Sequence, residues 1–272
     1  PFRELVRGAA LARHEQTGLG VVVWGEAGIG KSHLLARLCR WAEQKDEQGR
    51  DRALYVFLHN VQTAPERLPR YVLKCVLSRL TLGRPGAFHG TPLYWLVTGS
   101  LKQALAGFPI AGQLPSADEA RGAFLRMANR LMADNRNLGA DARTVFEVLF
   151  RFFLGAYKLR RLDGDEREAR LAVRWLSGED LDQEEADRLG LASGRGADEP
   201  AALPDEQALH TVLVVLAELA ANRGQSFLLC FDQVDNLTDG QIQALAQFQH
   251  TLIDHARNLL VVTSGVKSKL LE

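Results

Sequence analysis

Four short apolar runs punctuate the chain, each bounded by glycine or polar residues. Gly20-Val21-Val22-Val23-Trp24 is β-branched and flanked by glycine, the pattern of a short strand. Ala53 to Leu58 forms a second, Phe227 to Phe231 an unbroken third, and Leu259 to Val262 a fourth. Between them apolar residues recur at helical spacing. Leu34, Leu35, Leu38 and Trp41 share one face of a helix predicted over Lys31 to Gln44. The same periodicity predicts helices over Tyr71 to Leu80, Arg121 to Met132, Ala142 to Tyr157, Glu166 to Leu176, Gln207 to Ala221 and Asp239 to His255.

Strand, helix, strand, helix is the opening of a parallel α/β sheet. The alternation then stops, because from Gly83 to Leu203 only helical patterns and loops occur. The expected fold is therefore an α/β parallel sheet interrupted by a large helical insertion. Residues 1–82 form the first half of the core, 83–204 the insertion and 205–272 the second half. Ser193 to Pro204, rich in Gly, Ala, Pro and acid, reads as a loop or linker. No internal repeat is visible. The chain starts at Pro1 and ends at Glu272, soon after an apparent strand and turn, and so reads as a fragment of a longer protein.

Composition narrows the class. Apolar residues make up 46% and charged residues 24% of 272, which excludes a disordered, collagen-like or disulfide-scaffold chain. Lys plus Arg and Asp plus Glu are 33 each, so contact with nucleic acid cannot come from a global basic field and must be local. The charges are segregated, however. Residues 121–174 hold eleven Arg and one Lys against seven acids, and 175–206 hold ten acids against two Arg. The basic run is either a solvated helical face or a docking surface for a partner or a DNA backbone. Cys39, Cys75 and Cys230 form no CxxC pair and read as buried free thiols in a reducing, cytoplasmic setting. No run approaches the length needed to span a bilayer, the apolar stretch from His210 to Ala221 being broken by Glu218. No membrane partner is expected.

The strongest chemical signal is Gly25-Glu26-Ala27-Gly28-Ile29-Gly30-Lys31-Ser32, a complete G-x-x-x-x-G-K-[ST] between a predicted strand and a predicted helix. Glycines let the backbone curl so that successive N–H groups cradle a phosphate, and the helix start adds partial positive charge. Gly25 through His33 is thus the predicted nucleotide-binding stretch. Lys31 is placed for the β- and γ-phosphates, and the Ser32 hydroxyl is a candidate Mg²⁺ ligand.

A second metal-side carboxylate is expected at the end of another strand, and Asp232 closes the run Phe227 to Phe231. Gln233 follows it. A glutamine can orient water but is a poor proton acceptor, so Asp235 either supplies the missing carboxylate or caps the local turn. Beyond the last strand, Thr263 and Ser264 are both candidates to bond the γ-phosphate or the water. Arg257 is either a surface residue or a group acting on a neighbouring subunit's nucleotide. His33, His59, His89 and His255 lack metal-ligand spacing and read as structural.

Taken together, GEAGIGKS (25–32), FLLCFDQVD (227–235) and LLVVTSG (259–265) resemble the Walker A, Walker B and sensor-1 segments of P-loop ATPases of the AAA+ and STAND superclass. The DQVD segment is similar to the DQFE form of some STAND proteins, with Asp235 in place of Glu. Phe2-Arg3-Glu4-Leu5 resembles the arginine–glutamate element that precedes the P-loop in that group. Trp175-Leu176-Ser177-Gly178-Glu179 is similar to an element of ATPases from BREX-type phage-resistance systems.

The resemblance implies a P-loop NTPase fold of the ASCE type, with ATP and Mg²⁺ as ligands and the C-terminal lid outside this chain. It assigns Lys31, Asp232, Gln233, Asp235 and Ser264 to catalysis and Ser32 and Asp232 to the metal. The activity it implies is ATP-driven switching within an assembly of protein partners or a homo-oligomer, in anti-phage defence or on DNA. A nucleotide-gated scaffold with little turnover and a DNA-loading or remodelling ATPase are the alternatives.

Overall fold

The structure, a computed structural model, describes residues 1–12, 17–47, 49–83, 88–106, 116–139, 141–157, 166–191, 203 and 205–266. The chain divides into two compact units, residues 1–75 with 216–272, and residues 76–215.

The first unit is built on a parallel sheet of β1 (Leu19–Trp24), β2 (Ala53–His59), β3 (Ser226–Asp232) and β4 (Leu259–Gly265), in the spatial order β1-β4-β3-β2. The continuous apolar runs become the central strands β3 and β4, which are buried throughout. Side-chain alternation sorts the two faces. Leu228, Cys230, Leu260 and Val262, with Val21, Val23, Tyr55 and Phe57, pack under α1 (Phe2–Ala12) and α2 (Lys31–Ala42). On the opposite face α10 (Asp239–His255) lies against β4, where Gln249 accepts a hydrogen bond at 3.1 Å from Thr263.

Helix α1 was not expected. Leu5, Ala9 and Ala12 are its buried stripe, and Arg37 of α2 lies 4.7 Å over the Phe2 ring. The Arg3-Glu4 pair thus sits in the first turn of this helix.

The second unit is helical among its described residues. It contains α4 (Pro92–Leu105), α5 (Ala117–Asp134), α6 (Asp141–Ala156), α7 (Glu166–Leu176) and α8 (Gln183–Arg188), together with the end of α3 (Leu68–Leu80) and the start of α9 (Glu206–Asn222). Phe124, Phe146 and Phe150 meet in its core at ring separations of 5.6–6.3 Å. Helix α5 starts ahead of its predicted bound because Ser116 and Glu119 form a capping box. Helices α4 and α8 were not expected. The first opens on a Thr91 cap with Pro92 behind it, and the second on an Asp182–Glu185 capping box. The loop expected over Ser193 to Pro204 lies, Leu203 aside, outside the described residues.

Candidate nucleotide-binding site

The glycine loop occupies the turn from β1 into α2. Gly28 and Gly30 have φ of 78° and 96°, a left-handed backbone that costs a side chain with Cβ about 1–2 kcal/mol. Among the described residues, chain neighbours aside, neither glycine has a heavy atom within 4 Å of where a Cβ would stand, so the requirement is conformational and not steric. Gly30 is the N-cap of α2 and brings no side-chain cap, and the first turn carries no acid. The opening N–H groups of α2 therefore remain available to an anion. Lys31 Nζ donates to the carbonyls of Gly25 at 3.1 Å and Glu26 at 2.9 Å, which draws its ammonium back across the loop. Residues 26–30, Ser32 and His33 are exposed.

Strand alternation then places Asp232 and Ser264. Asp232 continues the Leu228, Cys230 series and Ser264 the Leu260, Val262 series, so both project toward the face carrying α2 at the C-terminal edge of the sheet. Ser264 Oγ donates to Asp232 Oδ1 across the two strands. Asp232 is 1% exposed, and its Oδ2 is buried with no hydrogen-bond partner among the described residues. A buried acid oxygen without a donor costs several kcal/mol unless a cation or water serves it. This pair therefore fits an Mg²⁺ ion or its water shell. Thr263 faces the other way, toward α10, so of the two strand-end hydroxyls it is Ser264 that reaches the acid.

The turn after β3 is internally braced. Gln233 takes a left-handed φ of 58° and its Oε1 accepts from Asn236 Nδ2 at 3.2 Å. Asp235 Oδ1 accepts from the backbone N–H of Val266 at 3.1 Å, the geometry of a cap on the end of β4. One residue the sequence reading set aside belongs here as well. His59 closes β2 directly opposite Asp232, with Nδ1 3.7 Å from Asp232 Oδ2. Its only sequence signal was a polar residue at the end of an apolar strand.

Other candidates fall elsewhere. Arg257 precedes β4 and so lies at the N-terminal edge of the sheet, away from the glycine loop. Its guanidinium holds the fully buried Glu218 through Nε at 2.7 and 2.8 Å and Nη2 at 2.7 Å. This is an ion pair within the unit. Of the thiols only Cys230 is fully buried, whereas Cys39 and Cys75 are partly exposed. Burial pushes Cys230 up to about 12.

In the second unit, Trp175 and Leu176 are buried, and Gly178 ends α7 with a φ of 80°. Arg174 pairs with both Glu179 and Glu185 there. The run resembling the BREX-type element is locally a helix stop. The basic segment is partly neutralised by its own acids, as with Arg143 and Glu147 at 3.6 Å. Among the described residues no cluster of three metal-ligating side chains occurs, and no helix is long and apolar enough to cross a membrane.

A glycine nest and lysine sit at a strand–helix turn, with a buried aspartate on a parallel strand one removed, an arrangement similar to that of P-loop NTPases. Residues 20–88 match the family model of the NACHT domain, a STAND-type P-loop NTPase family. The matched stretch runs from β1 through the glycine loop, α2, β2 and α3. It implies a module that binds and hydrolyses nucleotide. No curated protein and no solved structure matches the chain.

Proposed function

We propose that this chain binds ATP with Mg²⁺ and hydrolyses it, as a nucleotide-dependent switch within a larger assembly. The observation that carries the reading is the Asp232–Ser264 pair, whose buried Oδ2 faces the same side of the sheet as the glycine loop. In this reading the backbone N–H groups of residues 25–30 and the start of α2 hold the β-phosphate, and Lys31 leaves its carbonyl partners for the β- and γ-phosphates. Ser32 and Asp232 hold Mg²⁺, the latter through water, and Ser264 fixes the rotamer of Asp232. Mg²⁺ supplies charge neutralisation across the β- and γ-phosphates when bound. Gln233 flanks the site with its side-chain oxygen held by Asn236, and Asp235, engaged by Val266, is read as a brace for the end of β4.

The anti-phage setting rests on the Trp175–Glu179 resemblance alone, and loss of protection against phage on deleting the gene is its test. ATP turnover by the full-length protein, with and without DNA and at several salt concentrations, tests the rest. Mg²⁺-dependent turnover supports the switch. Tight binding without turnover favours the nucleotide-gated scaffold, and stimulation by DNA that fades with salt favours the DNA-remodelling alternative.

A further inference from the structure

We infer that His59 orients the attacking water in the hydrolysis step, a role that rests on the ATPase reading above. The usual place for such a group, directly after the metal-side aspartate, holds Gln233, and its carbonyl oxygen already accepts from Asn236. Asp235 is turned to Val266. His59 brings an ionisable side chain to within 3.7 Å of Asp232.

The placement is built and not incidental. His59 and Asp232 are register partners on adjacent parallel strands, and both follow the alternation of the face carrying α2. The residue after His59 is clamped. Asn60 takes a φ of 51°, its N–H donates to the Asp232 carbonyl at 3.1 Å, and its Oδ1 accepts from the same Asn236 Nδ2 at 3.5 Å. One asparagine thus ties the ends of β2 and β3 together. The ring stacks on Phe57 at 6.1 Å, and the side chain remains 53% exposed, so it can meet a substrate.

The Nδ1 edge of the ring lies toward Asp232 Oδ2 at 3.7 Å, and a neutral imidazole with its proton on Nδ1 offers the Nε2 lone pair as acceptor for a hydrogen bond from water. In the step itself the water oxygen forms the new bond to the γ-phosphorus. The bond to the β–γ bridging oxygen breaks, its electron pair leaves with ADP, and one water proton passes to a γ-phosphate oxygen. His59 neither gains nor loses a proton overall. It fixes the approach of the nucleophile, which in ordered sites is worth orders of magnitude in rate.

The test uses the full-length protein with His59→Ala and His59→Gln, measuring kcat, affinity for Mg²⁺·ATP, and affinity for ADP with aluminium fluoride as the mimic of the transferring phosphoryl group. We expect His59→Ala to keep ATP affinity within about threefold while kcat and affinity for the mimic both fall about tenfold or more. His59→Gln, whose Oε1 can stand near the position of Nε2, should recover part of both. Unchanged kcat and mimic affinity in His59→Ala, beside an active wild type, overturn the role and leave the ATPase reading intact. Loss of ATP affinity or of folding in both variants also overturns it, by making His59 a binding or structural residue. A wild type that binds ATP but never turns it over overturns hydrolysis and this role together.

Discussion

Asp235 Oδ1 accepts a hydrogen bond from the backbone N–H of Val266, thirty-one residues later, and so ties the turn after β3 to the end of β4. Asn at this position keeps an acceptor oxygen. Asp235→Asn should therefore hold turnover within about threefold of wild type, whereas Asp235→Ala, losing a bond worth about 1 kcal/mol, should lower the melting temperature by a few degrees. Turnover and melting measured on the same preparations decide it. A fall of about 10- to 1000-fold in the Asn variant would instead assign the general base to Asp235.

Asp232→Asn separates metal from fold. The asparagine oxygen still accepts from Ser264, so the central strands should pair as before. What changes is the charge at Oδ2. The Mg²⁺ enhancement of ATP affinity should drop by about tenfold or more, with far-ultraviolet circular dichroism unchanged. An unaltered Mg²⁺ dependence would move the metal ligand to another residue.

Removing Arg257 takes away the guanidinium that pairs with the buried Glu218 carboxylate. Arg257→Ala should cost about 3–5 kcal/mol in urea unfolding, and pairing it with Glu218→Leu should restore much of that loss. The arginine stands at the edge where β4 begins, about 17 Å along the strand from Ser264. Any loss of turnover should thus follow the loss of folded protein. A well-folded Arg257→Ala protein without turnover would revive a direct role at a nucleotide.

The face under α2 predicts an alkaline limit. Burial holds the Cys230 thiol at about 12 against an ordinary value of 9.0, and raises the Tyr55 phenol, whose hydroxyl donates to the Leu35 carbonyl. Between about pH 9 and pH 12 the unfolded chain releases protons that the folded chain keeps, so stability falls as pH rises through that window. Urea midpoints should decline from pH 8 to pH 10, and the decline should be smaller in Cys230→Ala. Equal slopes in both proteins would remove Cys230 from the account.

Much of the frame was legible because it is written locally. Glu166–Leu176 and Asp239–His255 are the helices the periodicity predicts, and the four strands fall on the β-branched and apolar runs. The glycine-rich turn from β1 into α2 was legible for the same reason, since its glycines, lysine and serine are adjacent. Helix α4 was missed because Leu93, Tyr94, Leu96 and Val97 are buried together, which leaves no polar face for periodicity to reveal, and Gly99 reads as a break. Helix α1 hid behind a stripe containing two alanines.

The site was only half legible, and register explains why. His59 meets Asp232 and Asp235 meets Val266 across sequence gaps that the order of the strands closes, while Arg257 meets Glu218 where α9 comes against the start of β4. Without the parallel pairing of β2 with β3, His59 is one polar residue at a strand end. Without the turn geometry, Asp235 is equally a base or a brace.

The most direct measurement is calorimetric titration of ATP, with Mg²⁺, into wild type and Lys31→Ala. Lys31 is the cation the glycine loop itself supplies, drawn onto the Gly25 and Glu26 carbonyls from the first turn of α2. Wild type should bind ATP, and Lys31→Ala should lose affinity by about a hundredfold or more while melting at the same temperature. Equal ATP affinity in the two proteins would contradict the assignment of the glycine loop as the nucleotide site.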